Sequence, residues 1–140
     1  YGVMHRNTFI DAPHVLDRTF AVPGTTVRFA GQITGTEGYT EAIASGLLAA
    51  LNTYADLIGA DPVALPATGA LGALVAYATD PETQDYQPMH VNFGLVPPLT
   101  DGVKRGKRER YHAYAERALR DLDGYIATRP DLFDAAVARP

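Results

Sequence analysis

The chain has 140 residues, 46% of them apolar and 20% charged, with a net charge of −4 and no cysteine. That balance fits one globular domain and excludes disulfides, thiolate metal sites and a cysteine nucleophile. No apolar run approaches the roughly 18 to 20 residues of a membrane span, and no signal peptide is visible, so a cytoplasmic location is expected. Seven of the twelve basic residues fall between Lys104 and Arg120, giving an acidic molecule with one basic stripe.

The opening run "YGVMHRNTFI" has its first methionine at the fourth position and reads at once as structured sequence, as in a piece of a longer protein. It is rich in strand formers, and residues 1–11 are expected to be extended. In "APHVLDRTFAV", Pro13 suits the first turn of a short helix. "PGTT" is a turn by composition, and "TVRFA" has the bulk and β-branching of a short buried strand. "GQITGTEGY" follows as a loop whose glycines permit positive φ and close backbone approach.

From Gly38 to Ile58, Ile43, Leu47, Leu51, Tyr54 and Ile58 recur at helical spacing, and Gly59 is a natural stop. The neighbouring face carries Ala42, Ala44, Ser45, Gly46, Ala49 and Ala50, small enough for close packing on a sheet or ligand. Gly69 to Thr79 reads as a second helix closed by Asp80-Pro81. "YQPMHVNFGLVPPL" is too rich in proline for a central strand, although "MHVNFGL" could be a short one. Lys104 to Ala127 is a long amphipathic helix with Tyr111, Tyr114, Ala118, Leu122, Tyr125 and Ile126 on one face. The remainder is a tail or a short terminal helix.

Strand, Gly-rich turn and helix in that order resemble a dinucleotide-binding βα unit, but the glycines fall at Gly31, Gly35 and Gly38, not in a GxGxxG pattern. Spacing alone leaves an ordinary tight helix–sheet junction open. Wider detail carries more. "FAGQITGTEGYTEAIASGLLAALN" resembles the C-terminal flavin motif of the GidA-related tRNA-modifying flavoproteins. "YGVMHRNTFI", "TGALGALVAYATDP", "YQPMHVNFGLVPPL" and "KRERYHAYAERALRDL" resemble their folate-dependent branch, the TrmFO family. The similarity runs from Tyr1 to about Asp123.

That resemblance implies an α/β fold: the C-terminal part of a GidA-like, Rossmann-type FAD-binding domain, with short strands, a long flavin-facing helix and a C-terminal amphipathic helix. Residues 1–60 complete the FAD domain and residues 61–140 form a peripheral helical section. It implies FAD as cofactor, NAD(P)H and methylenetetrahydrofolate as co-substrates, and methylation of a T-loop uridine of tRNA at carbon 5. The GxGxxG fold and the family's cysteines belong to an N-terminal remainder, and the fragment alone is expected to be inactive. The alternatives are the wobble-uridine branch of the same family and a non-catalytic flavin- or RNA-binding fragment.

The flavin site implied by the resemblance comprises Ala30, Gly31, Gln32, Ile33, Gly35, Gly38, Tyr39 and Thr40. Gly31 and Gln32 are expected at the ribityl and pyrophosphate region, and Gly38, Tyr39 and Thr40 at the ring. The positive end of the helix there favours the anionic reduced flavin. Folate or tRNA contacts are expected from Arg6, Asn7, Asn92, Lys104, Arg105, Lys107 and Arg108. Arg6 suits a carboxylate or phosphate, or equally a structural salt bridge. The basic run, which includes Arg110, is either a phosphate-attracting stripe or the solvated face of a helix. Tyr111 and Tyr114 are expected in the core. No catalytic residue is assigned, and four scattered histidines give no metal site.

Overall fold

The computed structural model describes residues 8–133. Five helices follow one another: α1 (Ala12–Val15), α2 (Tyr39–Ile58), α3 (Ala70–Ala78), α4 (Lys107–Ala127) and α5 (Pro130–Phe133), with a 3₁₀ turn at Gly31–Thr34 before α2. Pro13 occupies the first turn of α1, where its missing N–H costs no hydrogen bond. Gly59 ends α2 in the left-handed conformation at φ 68°, its N–H returning to the Ala55 and Asp56 carbonyls. The α4 helix begins three residues later than the basic run suggests. Glu109 folds back to accept the Gly106 N–H at 3.1 Å, so Lys104 and Arg105 precede the helix.

The expected short strands are not formed among the described residues. "TVRFA" contributes one antiparallel bridge, Ala21 to Arg28, and "MHVNFGL" one parallel bridge, Thr36 to Met89. The physical reason is local: a strand persists only where its pairing continues, and among the described residues each of these pairs makes a single bridge. Beyond Met89 the chain turns, the Leu95 N–H reaching the Asn92 carbonyl, so "MHVNFGL" does not run on as a strand. The extended segment expected at residues 1–11 lies largely outside the described residues.

The core collects Ala12 and Leu16 from α1, Phe20, Leu48 from α2, Val63, Val75 and Ala78 from α3, and Tyr86. The face that α2 buries is not its bulky one. Ser45, Leu48, Asn52 and Ala55 point inward, while Ile43 and Leu47 are 74% and 61% exposed and Tyr54 and Ile58 also face outward. The 3.6-residue period identifies the helix; the neighbours decide which side is covered. No helix among the described residues is long and apolar enough to cross a membrane.

Asn52 fastens α2 to the Val63 loop. Fully buried, it accepts the Val63 N–H at 2.9 Å and donates to the Val63 and Leu48 carbonyls at 3.3 and 3.1 Å. Removing one partner of a buried bond exposes the desolvation cost of the other. Asn52→Ala is therefore expected to lower the unfolding free energy in urea by about 2–3 kcal/mol without changing the slope. A loss below about 0.5 kcal/mol would match an ordinary surface substitution instead and contradict this role.

Candidate functional site

The Gly-rich segment is a rigid crest on the end of α2. Its interior is a cluster of three completely buried hydroxyls, Thr34, Thr36 and Ser45. The Thr34 and Thr36 hydroxyls both donate to the Gly31 carbonyl, at 2.7 and 2.9 Å. The Gly31 N–H donates to the Ser45 oxygen at 2.8 Å, and the Ser45 hydroxyl donates to the Ala42 carbonyl at 2.8 Å. Every hydroxyl proton has an acceptor, so the polar cluster is buried without an orphan. Both backbone polar groups of Gly31 are thereby bound from inside the fold.

A second segment pins the crest from the side. The Tyr86 hydroxyl donates to the Thr34 carbonyl at 2.6 Å. Burial, with Tyr77 and Asp11 nearby, holds that phenol well above its ordinary pKa, so it stays a neutral donor. Met89 donates its N–H to the Gly35 carbonyl at 2.9 Å, and Glu37 donates to the Met89 carbonyl at 3.1 Å. Gly35 sits at φ 76° directly beneath Tyr86, and a Cβ there would overlap the phenol oxygen. Its N–H is also taken, by the Gln32 carbonyl. Gly35 thus shapes the turn from within and presents no backbone group outward.

The outward surface is left to the other expected residues. Ala30 is extended, at φ −150° and ψ 161°, leading into the 3₁₀ turn. Gln32 is exposed, its amide 3.4 Å from Glu37, and the Ile33 carbonyl accepts the Ile10 N–H at 2.9 Å. Gly38, at φ 99°, is the N-cap of α2, and no side chain caps that helix end. Tyr39 and Thr40 open the helix on the surface, Tyr39 being 92% exposed. The first N–H groups of any helix lack intrahelical partners, so this end can receive an acceptor or an anion. Glu41 bounds it on one side, accepting the Val91 N–H at 3.3 Å with His90 4.0 Å away.

The remaining expected residues are dispersed. Arg6 and Asn7 lie outside the described residues. Asn92 spends its amide on its own turn, donating to the His90 carbonyl and accepting the Gly94 N–H. Arg105 grips Asp101 with two hydrogen bonds of 2.8 and 2.6 Å, and that partner holds the Asp101 carboxyl down to about 2. Lys104, Lys107 and Arg108 are exposed. Tyr111 and Tyr114 are only half-buried, because α4 has no fully buried residue. Among the described residues no group of three or more His, Asp or Glu could hold a metal. The residues that the sequence reading missed are Thr34, Thr36, Ser45 and Tyr86. The "TGT" spacing hints at the first two, but nothing in sequence links Tyr86 to a turn fifty-two residues away.

Gly24 and Gly35 share φ 76°, yet only Gly35 has a neighbour where a Cβ would fall. Gly24→Ala is expected to cost about 1 kcal/mol of backbone strain. Gly35→Ala is expected to cost at least about 3 kcal/mol, strain plus overpacking, in the same urea titration. Equal losses would contradict the clamp by Tyr86.

Comparison with known proteins agrees with the residue-level reading. A family model described as glucose inhibited division protein A matches residues 1–61. A methylenetetrahydrofolate–tRNA-(uracil-5-)-methyltransferase TrmFO of Streptococcus suis is 48% identical over 127 residues, 90% of this chain and 29% of the relative. The protein of that name from Heliobacterium modesticaldum is 50% identical over 128 residues, 91% of the chain and 29% of the relative. A third, from Streptococcus agalactiae, is 47% identical over 127 residues, again 90% of this chain and 29% of the relative. The chain spans less than a third of the length of these curated relatives, but its similarity to them is nearly continuous from end to end. Over about nine tenths of its length it is similar to the TrmFO branch of the GidA-related family.

Proposed function

We propose that the chain forms part of a folate- and FAD-dependent enzyme that methylates a T-loop uridine of tRNA at carbon 5. In this reading residues 1–60 complete the FAD-binding domain and residues 61–140 are a peripheral section. The remainder of the polypeptide supplies the dinucleotide half of the site, NAD(P)H is the reductant, and the enzyme works in the cytoplasm. All three relatives described above carry the TrmFO name, which favours this reading over wobble-uridine modification.

The observation that carries the proposal is the uncapped N-terminus of α2 beside the Gly-rich crest. Residues there fit a flavin in two respects. The turn between Ala30 and Gly38 approaches a ligand with backbone and little side chain, and the helix end carries no side-chain cap hydrogen bond, the Glu41 carboxylate standing beside Gly38. FAD, when bound, supplies redox chemistry and carries the one-carbon unit from folate to the uridine. What this chain contributes is placement and charge. Gly38, Tyr39 and Thr40 direct N–H groups and the positive helix end at the ring, which favours the anionic reduced state by about 0.3–1 kcal/mol and more when partly buried. Ala30, Gly31, Gln32 and Ile33 lie along the ribityl and pyrophosphate. The buried hydroxyl cluster fixes both sets relative to each other, so the site is formed before the cofactor arrives. Lys104, Lys107 and Arg108 meet tRNA phosphates.

The outward face of α2 suits the same arrangement. Tyr39, Ile43, Leu47, Tyr54 and Leu57 form an exposed apolar stripe along the helix, the kind of contiguous surface that marks an interaction face. In the proposed enzyme the remainder of the FAD domain covers it.

The test is flavin content in the whole protein purified without added FAD. Gly38→Val places a branched side chain at the helix mouth, where the Glu41 and His90 side chains already crowd. Gly24→Val carries a comparable backbone strain in open space, with nothing within 4 Å of the added Cβ. The Gly38 variant is expected to lose at least about tenfold in FAD affinity, roughly 1.4 kcal/mol, while the Gly24 variant keeps its flavin. A folded Gly38→Val protein with wild-type flavin content would contradict the assignment.

A further inference from the structure

The turn after Met89 does something the proposed flavin site does not use. Asn92 closes it, accepting the Gly94 N–H at 2.9 Å while its backbone carbonyl accepts the Leu95 N–H at 3.2 Å. The residue held between them is Phe93, half exposed. Its ring stacks on Tyr111 of α4, with centroids 4.3 Å apart and planes within 6°, and Tyr114 leans against it at 5.4 Å. This is not core packing, since α4 contributes no fully buried residue.

Cations surround the pair. The Lys107 ammonium and the Arg110 guanidinium each lie 5.8 Å from the Tyr111 ring centre. Among the described residues no carboxylate pairs with Lys104, Lys107, Arg108 or Arg110, and Glu109 is occupied in capping the helix. Elsewhere the chain is acidic, so this stretch is where an anion is drawn. An apolar cavity of about 280 Å³ opens beside the rings, with Phe93 and Tyr114 in its wall. Of the side chains in its wall, Thr68 donates to Asp121 and Asn92 closes its turn. The rings and the cations beside them therefore favour a ligand that is flat and anionic.

We propose that Phe93 and Tyr111, with Lys107 and Arg110 beside the Tyr111 ring and Arg108 in the same basic run, form a platform on which an unpaired nucleobase of the RNA substrate stacks. This rests on the reading of the chain as part of a tRNA-modifying enzyme and adds a base-stacking contact to its phosphate contacts. Flat aromatic faces beside basic groups are the chemistry that holds single strands without sequence preference. A fully paired helix keeps its bases inside and would engage only the cations. The platform thus distinguishes a loop from a stem.

The test is equilibrium binding of the whole protein to a stem-loop RNA and to a fully paired duplex of similar length, over a range of salt. Phe93→Leu retains apolar packing and removes the ring; Phe93→Trp retains stacking. Phe93→Leu is expected to weaken the stem-loop about tenfold with the duplex and the salt slope unchanged, and Phe93→Trp to bind like the wild type. Changing Lys107, Arg108 and Arg110 together to Gln is expected to reduce the salt slope by about 2–3 for both RNAs. Wild-type binding by a folded Phe93→Leu protein, or equal weakening of stem-loop and duplex, would overturn the platform. Methylation of tRNA by the wild-type preparation is read separately: if it persists while Phe93→Leu binds normally, only the platform fails. If the wild type has no such activity, the enzyme reading fails by its own measure.

Discussion

Three hydroxyls hold the centre of this structure. Thr34, Thr36 and Ser45 have no solvent access, and their bonds tie both backbone groups of Gly31 to the first turns of α2. A glycine turn is entropically expensive to order, and left to water it would sample many shapes. Binding it through buried, satisfied hydroxyls gives it one shape, because each bond lost inside would leave an unpaired polar group. Tyr86 then fixes the other edge through the Thr34 carbonyl. The position of the α2 N-terminus follows from these contacts, and with it whatever that helix end can bind.

The helix behind the crest is built for two neighbours of different kinds. Its inner face is small and partly polar, with Ser45 and Asn52 each spending their hydrogen bonds on nearby backbone. That allows close approach to the crest and to the Val63 loop. Its outer face carries the bulk, from Tyr39 to Leu57, and the described residues leave it uncovered. The same helix thus completes a local fold on one side and offers an apolar surface on the other.

Helix positions were legible because period and stop signals agree. The reading of Gly38 to Ile58 meets α2 at Tyr39–Ile58, and Gly69 to Thr79 meets α3 at Ala70–Ala78. The direction of each face was not legible, since Ile43 and Leu47 mark an apolar side without saying what lies against it. The start of α4 was missed because Lys104 and Arg105 continue the charge pattern, whereas the Glu109 cap sets the boundary at Gly106. Strands were over-read: "TVRFA" and "MHVNFGL" have strand composition, but composition does not supply the partner that a ladder needs. Within the site, the glycines could be seen in the sequence. Their supports could not, because Thr34, Thr36 and Ser45 look like ordinary loop and helix residues until folding buries them, and Tyr86 arrives from far along the chain.

A crystal structure of the whole protein with FAD tests most directly the claim that the Gly-rich crest and the end of α2 form a cofactor cradle. The account predicts N–H groups of the first α2 turn about 2.7–3.2 Å from acceptors on the flavin ring, with the backbone near Gly31 and Gln32 against the ribityl and pyrophosphate. A cofactor bound elsewhere, with that helix end facing solvent or protein, would contradict it.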